Sequence, residues 1–228
     1  MTTIKDNPIL TEEQKGFLPH FRSSPLCPRF YLTGGTALSA FYLQHRRSED
    51  LDFFTDESFE LEEALTLVRS VPGVQEIQYE RKYDRRIFLL RYARARVMKV
   101  EFTSYPFPRC EEGPVVEGVR IESLRDILAN KLMALSDRRD PKDYVDVYFL
   151  FKKFPVLDFE SAIRDTENKF GIKGISYILR GRFLEGPPPL GILMMRGVLD
   201  PEALTEFFTT QARRWIARTT GEESLASS

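Results

Sequence analysis

The sequence predicts an α+β protein whose strands are confined to its first half. Strand-like and helix-like patterns alternate up to Ser104, whereas only helical patterns follow Ile121. The segment between them is rich in turn-forming residues, with Pro106, Pro108 and Pro114. We therefore expect an α/β domain with a mixed, mainly antiparallel sheet, followed by an all-helical domain and a flexible tail. The expected boundaries are residues 1–108, 109–220 and 221–228.

The first half is predicted as follows. A pair of glycines, Gly34 and Gly35, ends the first strand and allows a sharp turn into a helix, and a second, apolar strand comes next. Three further segments alternate in the manner of consecutive antiparallel strands. The expected helices are 11–21, 36–44 and 56–69, and the expected strands are 29–33, 51–55, 74–83, 86–93 and 97–104.

The second half shows apolar residues at helical intervals. Asp140 followed by Pro141 is typical of an N-cap and a first helical residue. A proline-rich run at 186–191 indicates a stiff connector before the last helix. The expected helices are 123–136, 141–153, 159–170, 175–184 and 201–218.

Composition sets broad limits on function. With 228 residues, of which 42% are hydrophobic, the chain can bury a substantial core. Its net charge of -1 gives no global indication of nucleic-acid binding. No segment approaches the roughly 20 apolar residues of a membrane span, and the N-terminus lacks the apolar region of a signal peptide. We therefore expect a soluble, cytoplasmic protein with no membrane partner, in which Cys27 and Cys110 are free thiols.

Three acidic residues stand in strand-like surroundings. Asp50 and Asp52 flank Leu51, so the period of a strand places both carboxylates on one face, where they repel each other without a cation. Glu101 interrupts another apolar strand and would complete the cluster if the two strands pair. Such carboxylates are the ligands that Mg²⁺ prefers, and Mn²⁺ is the alternative. Glu101 could instead face solvent or pair with an arginine.

The glycine turn is a second candidate element. Gly34 and Gly35 precede a helix, where backbone N–H groups can dock a phosphate, and Thr36 or Ser39 could add a hydroxyl. A glycine pair at this place is more often only a tight turn, and the phosphate-loop and dinucleotide-binding patterns are both absent. The signal therefore depends on the aspartates that follow it.

Charged residues also lie on the apolar faces of two predicted helices. Lys131 shares a face with Ile127 and Leu135, so its amino group needs an anion or must reach back to solvent. Asp146 lies on the apolar stripe of the next helix. Asp143 lies there too, but its place in the first turn could simply stabilise the helix start.

Basic residues are concentrated in the three-strand region. This segment carries eight basic side chains against one acid, Asp84, and could attract RNA phosphates. An ordinary solvated face of a β-meander explains it equally well. The basic residues are Arg81, Lys82, Arg85, Arg86, Arg91, Arg94, Arg96 and Lys99.

These motifs together resemble one family, the AbiEii-type nucleotidyltransferase toxins, which include the MenT toxins and form a branch of the polymerase-β-like superfamily. The resemblance covers roughly residues 31–150 and is loose beyond them. A Gly-Gly turn, a helix and an Arg-x-Ser-x-Asp-Leu-Asp segment form the first motif, and Lys-Leu and Lys-Asp-x-x-Asp motifs follow. The matching residues are Gly34, Gly35, Arg46, Ser48, Asp50, Leu51, Asp52, Lys131, Leu132, Lys142, Asp143 and Asp146.

The resemblance implies a polymerase-β-like core and transfer of a nucleoside monophosphate from an NTP to a hydroxyl. Asp50, Asp52 and Glu101 would hold the metal, and Asp143 or Asp146 would act as base or position the hydroxyl. The 3′ end of tRNA is the implied acceptor, with Arg85, Arg86 and Arg94 as expected RNA contacts, and a separate antitoxin is an implied partner. A small-molecule or protein acceptor, or a binding module without turnover, are the alternatives. The residues implied to bind the nucleotide are Gly34, Gly35, Thr36, Ser48 and Lys131.

Overall fold

The computed structural model describes residues 3–191 and 193–220, and contacts divide the chain into two compact units, Met1–Ile127 and Leu128–Ser228. The division follows Ile127, whereas the expected domain boundary follows residue 108. The expected flexible tail, 221–228, lies outside the described residues.

The first unit is built on a five-stranded sheet. Its spatial order is β1-β2-β5-β4-β3, and within the described strands β2 and β5 are parallel while the other neighbours are antiparallel. The predicted mixed, mainly antiparallel sheet is confirmed. In chain order the elements are α1 (Glu12–Arg22), β1 (Tyr31–Thr33), α2 (Gly34–Leu38) with a π-helical continuation (Ser39–Leu43), β2 (Leu51–Thr55), α3 (Leu61–Ser70), β3 (Val74–Lys82), β4 (Arg85–Tyr92) and β5 (Val97–Ser104).

Caps and an aromatic core explain how these elements are held. Thr11 and Gln14 form a reciprocal capping box at the start of α1, and Glu60 and Glu63 form another at α3. The second box explains why α3 begins at Leu61 and not at residue 56 as expected. One face of the sheet carries the core, where the ring centroids of Phe21 and Phe53 lie 4.2 Å apart, and those of Phe53 and Phe102 lie 5.3 Å apart. The opposite face is therefore available for polar groups.

A small hairpin lies in the segment that we expected to be only a loop. It consists of β6 (Val115–Val116) and β7 (Val119–Arg120). Its turn residues Glu117 and Gly118 both have positive φ, 48° and 86°, as the tight turns that suit hairpins require. Ile121 then bridges to Leu32 of β1. This pairing joins the segment to the first unit. It explains why that unit extends beyond residue 108, where we expected the boundary.

The second unit is helical, as expected. Asp140 and Asp158 cap α5 and α6 by accepting hydrogen bonds from Lys142 N and Ser161 N. Its core is aromatic: the rings of Phe183 and Trp215 stack with centroids 5.6 Å apart. No helix in the described part of the chain is both long and apolar enough to cross a membrane. The helices are α4 (Leu124–Asp137), which crosses from the first unit, α5 (Pro141–Lys153), α6 (Phe159–Phe170), α7 (Ile175–Glu185) and α8 (Pro201–Thr220).

Candidate active site

The three predicted metal-binding acids lie near one another at one face of the sheet. Asp52 of β2 lies beside Glu101 of β5 in the parallel register, and Asp50 immediately precedes β2. Leu51 and Val100, which are their neighbours in sequence, point to the opposite face and are completely buried. The strand period thus separates an acidic face from the core, and the register brings together acids that are about fifty positions apart in the chain.

The neighbouring acids Asp52 and Glu101 are buried and incompletely compensated. Burial raises the pKa of Asp52 from 3.8 to about 6, with the negative charge of Glu101 as the next cause. Glu101 is only 1% exposed, and its Oε1 accepts hydrogen bonds from Arg85 Nε at 2.5 Å and Thr103 Oγ1 at 2.9 Å. Its Oε2 is buried and accepts no hydrogen bond. The arginine pairing that the sequence left open is therefore present, but it satisfies only one of the two oxygens.

Lys99 is a side chain of this acidic face that the sequence did not single out. Its Nζ lies 2.9 Å from Asp50 Oδ2 and 3.7 Å from Glu101 Oε2. In the sequence it counted only as one of eight basic residues attributed to an RNA patch. Its position two residues before Glu101 could have indicated this contact, because residues two apart in a strand share a face.

The donor set fits a divalent cation in its chemistry. It offers carboxylate oxygens, the ligands that Mg²⁺ and Mn²⁺ prefer, and includes a buried oxygen, Glu101 Oε2, without a hydrogen bond. Within the described residues, however, no three acids, histidines or cysteines are already gathered as a metal cage. Lys99 and Arg85 are bonded to these carboxylates instead. Asp50, Asp52 and Glu101 are thus the residues that would hold a metal.

The glycine turn lies directly against this acidic face. Gly34 has φ +71°, and a Cβ there would collide with the carboxylate of Asp52. A Cβ on Gly35 would lie 2.8 Å from Arg46 Nη2 and 2.9 Å from Ser48 Oγ. The turn therefore requires glycine at position 34 and leaves little room for a side chain at position 35. It brings the predicted nucleotide-binding residues Gly34, Gly35 and Ser48 close to the carboxylates.

Two buried polar side chains support the loop that carries Asp50. The hydroxyl of Thr36 donates to the backbone carbonyl of Asp50, and Gln14 Nε2 donates to the carbonyl of Ser48 at 3.0 Å. Both residues are fully buried. The structure thus gives Thr36 a positioning contact with the acidic loop, whereas the sequence suggested a phosphate contact.

A second charged cluster lies within the second unit. Lys131 Nζ is 2.8 Å from Asp143 Oδ1 and 2.8 Å from Asp146 Oδ2, and Arg138 Nε is 2.9 Å from Asp143 Oδ2. Asp143 and Asp146 are almost completely buried. The anion that the sequence requires for Lys131 is therefore supplied by α5, and this amino group does not simply reach back to solvent.

The three arginines suggested for RNA do not come together. Arg85 faces the carboxylates, and the strand period puts Arg86 on the opposite face, where its guanidinium lies 5.5 Å from the ring centroid of Phe59. Arg94 lies in the connection between β4 and β5 with φ 61°. A count of charges along the sequence mixes the two faces of a strand, so it could not show this separation.

Comparison with known proteins decides the family. The family described as "Nucleotidyl transferase AbiEii toxin, Type IV TA system" matches residues 16–221. The chain belongs to this nucleotidyltransferase toxin family. An uncharacterized protein, aq_aa25 of Aquifex aeolicus (strain VF5), is 33% identical over 150 residues, which cover 63% of this chain and 68% of that protein.

Two crystal structures from Helicobacter pylori share the fold of this AbiEii-family chain. A candidate nucleotidyltransferase has a TM-score of 0.63 and 22% identity, covering 90% of this chain and 95% of its own. The protein JHP933 has a TM-score of 0.60 and 20% identity, covering 92% of this chain and 91% of its own. The predicted nucleotidyltransferase fold is therefore confirmed.

Proposed function

We propose that this AbiEii-family protein is a metal-dependent transferase that moves a nucleoside monophosphate from an NTP to a hydroxyl acceptor. The observation that carries the proposal is the acidic face, where Asp52 lies next to Glu101 and the pKa of Asp52 is raised to about 6. A buried carboxylate beside a second acid is costly to ionise, and this arrangement is typical of a site that binds a cation.

The residues of the first unit divide the task. Asp50, Asp52 and Glu101 hold the metal, which supplies positive charge to the phosphates. The Gly34–Gly35 turn and Ser48 bind the triphosphate, because the missing Cβ atoms let phosphate oxygens approach the backbone N–H groups. Thr36 and Gln14 fix the loop that presents Asp50. Pre-positioned groups of this kind lower the barrier because they need no reorganisation during the reaction.

Lys131, Asp143 and Asp146 are proposed participants from the second unit. Family resemblance assigns the nucleotide phosphates to Lys131, and the activation or positioning of the acceptor hydroxyl to one of the two aspartates. Lys131 forms ion pairs with both aspartates, each at 2.8 Å. Variants at these positions therefore need a measurement of stability beside any measurement of activity.

The decisive test is nucleotide transfer by the purified protein. It is incubated with each labelled NTP, Mg²⁺ and total tRNA, and the isosteric variant Asp52→Asn is measured in parallel. We expect a labelled product that falls at least about 100-fold in the variant, since removing one charged group at a site of this kind costs several kcal/mol in the transition state. Asp56→Asn is the matched control, because Asp56 is exposed just beyond the same strand. The absence of any Asp52-dependent product would refute the proposed enzyme activity.

The proposed acceptor is the 3′ end of tRNA, and the strand faces suggest where its phosphates bind. Lys82 pairs with Arg85 across β3 and β4, so both residues lie on the face that carries the carboxylates. Arg81 is the next residue along β3 and points to the opposite face. RNA that reaches the acidic site should therefore meet Lys82 before Arg81.

This proposal predicts different effects for two neighbouring substitutions. Lys82→Gln should lower tRNA affinity and reduce the slope of log affinity against log salt by about 1, which corresponds to one lost phosphate contact. Arg81→Gln removes the same charge from the other face and should change the slope much less. The measurement is a tRNA-binding titration at several salt concentrations. Slopes reduced equally in both variants would contradict binding along this face. Slopes unchanged in both variants would contradict the proposal that RNA binds at this site.

A further inference from the structure

Lys99 occupies the position in which the acidic face needs a cation. On β5 it lies two residues before Glu101, so both side chains leave the same face of the sheet. Its ammonium contacts Asp50 at 2.9 Å and lies 3.7 Å from Glu101, and so bridges an acid from each side of the β2–β5 pair. Lys99 thus links two carboxylates that would otherwise have no cation between them.

The bridge is incomplete in a way that an ordinary structural ion pair is not. Glu101 Oε2 is buried without a hydrogen bond, and the 3.7 Å to Lys99 Nζ is too long for one. The Lys99 side chain is 30% exposed and that of Asp50 is 47% exposed, so solvent reaches the contact from one side. A contact of this kind can open without exposing the core.

A divalent cation and the ammonium compete for the same oxygen. Asp50 Oδ2 accepts a hydrogen bond from Lys99, and the lone pairs used there are those a metal would need. The lysine arm has four flexible carbons and a strongly hydrated charge, so it can turn away while its backbone stays in β5. Once displaced, the ammonium remains close to whatever anion the metal brings with it.

We propose that Lys99 is a resident counter-ion of the acidic face, which the metal displaces and which then pairs with a phosphate of the nucleotide. The inference rests on the proposed function, because it assumes that these carboxylates bind a metal and an NTP. It gives one side chain two successive partners, first Asp50 and then the nucleotide. It also predicts that the lysine opposes metal binding before the nucleotide arrives and favours nucleotide binding afterwards.

The test measures metal binding without nucleotide and nucleotide use with metal. Free Mn²⁺ is measured by electron paramagnetic resonance in titrations of the intact chain, and the KM for NTP is measured with saturating metal. Lys99→Met should bind Mn²⁺ roughly tenfold more tightly, because a positive charge within about 4 Å of the ligands is removed. The same variant should raise the KM for NTP roughly tenfold.

Two companion variants make the result specific. Lys99→Arg keeps the charge and should leave Mn²⁺ affinity within about twofold of the unsubstituted protein, since the charge term is retained. Arg91→Gln removes a charge from the same sheet face, where Arg91 pairs with Glu76, and should change neither quantity. Thermal melts of all three variants establish that each is folded.

The outcomes separate this inference from the function on which it rests. In one outcome, Lys99→Met binds Mn²⁺ no more tightly than the unsubstituted protein, while binding to the unsubstituted protein still depends on Asp52. That result overturns the proposed role of Lys99 and leaves the proposed metal site standing. Tighter Mn²⁺ binding with an unchanged KM overturns the second step, in which the ammonium moves to the nucleotide. Mn²⁺ binding that Asp52→Asn does not alter overturns the proposed metal site itself.

Discussion

The acidic face of the first unit and the charged cluster of the second unit solve the same electrostatic problem differently. On the acidic face three acids, Asp50, Asp52 and Glu101, meet two cations, Lys99 and Arg85. In the second unit two buried acids meet two cations at 2.8–2.9 Å. On the acidic face, burial and next the negative charge of Glu101 raise the pKa of Asp52 to about 6.

The difference indicates what each region is for. A buried cluster with equal numbers of acids and cations can stabilise the fold, because each charge has a partner. Removing one charge then leaves its partner buried without compensation, which is destabilising. An unmatched acidic group lowers stability in the free protein, so its presence favours a bound cation during function. Charge removal should therefore have opposite effects on the stability of the two regions.

The largest effect is expected in the second unit. Lys131→Met leaves Asp143 and Asp146 buried with much less compensation, and should lower the free energy of unfolding by about 3–5 kcal/mol. The measurement is urea-induced unfolding followed by circular dichroism. Lys142→Met is the matched control, because Lys142 directly precedes Asp143 in α5 but is exposed, and its loss should cost less than about 0.5 kcal/mol.

A combined variant identifies the cause. Lys131→Met together with Asp143→Asn and Asp146→Asn removes the unpaired charges and should recover most of the lost stability, because neutral side chains are far cheaper to bury. A Lys131→Met protein as stable as the Lys142→Met control would show that the cluster is not a structural one.

Sequence patterns were sufficient for the elements but not for their pairing. The bounds of β2, β5, α5 and α6 agree with the predictions because each is a strongly periodic segment with clear ends. The insertion of β5 between β2 and β4 is a long-range property, and no local pattern specifies it. The sequence could therefore propose Glu101 as the third acid only on the condition that its strand pairs near Asp52.

The partners in each ion pair were even harder to predict from the sequence. Lys131 was expected to need an anion, but only the packing of α4 and α5 selects Asp143 and Asp146. Lys99 and Arg85 were grouped with other basic residues, because the direction of each side chain depends on the register of its strand. A sequence shows which charges exist, whereas the register decides which of them meet.

On the acidic face we expect a smaller change in the free energy of unfolding, and we expect charge removal to increase it. Because the pKa of Asp52 is raised from 3.8 to about 6 in the folded protein, the folded state binds the proton more tightly than the unfolded state does. The stability contributed by this proton is complete below pH 3.8 and is lost as the pH rises through 6. Asp52→Asn, which cannot ionise, should thus be more stable than the unsubstituted protein at pH 7.5, by about 1–3 kcal/mol.

The measurement is a series of urea-unfolding curves between pH 4.5 and 8 in the presence of a chelator, so that no divalent metal compensates the acids. The gain from Asp52→Asn should grow up to about pH 7 and then stay constant, since Asp52 is fully ionised above its pKa. Asp56→Asn removes an exposed carboxylate and should show no such rise. A pH-independent gain would mean that Asn packs better than Asp at this position, and a loss of stability would show that Lys99 and Arg85 already compensate the acidic face. Either result would remove the contrast with the second unit, because both regions would then be electrostatically satisfied.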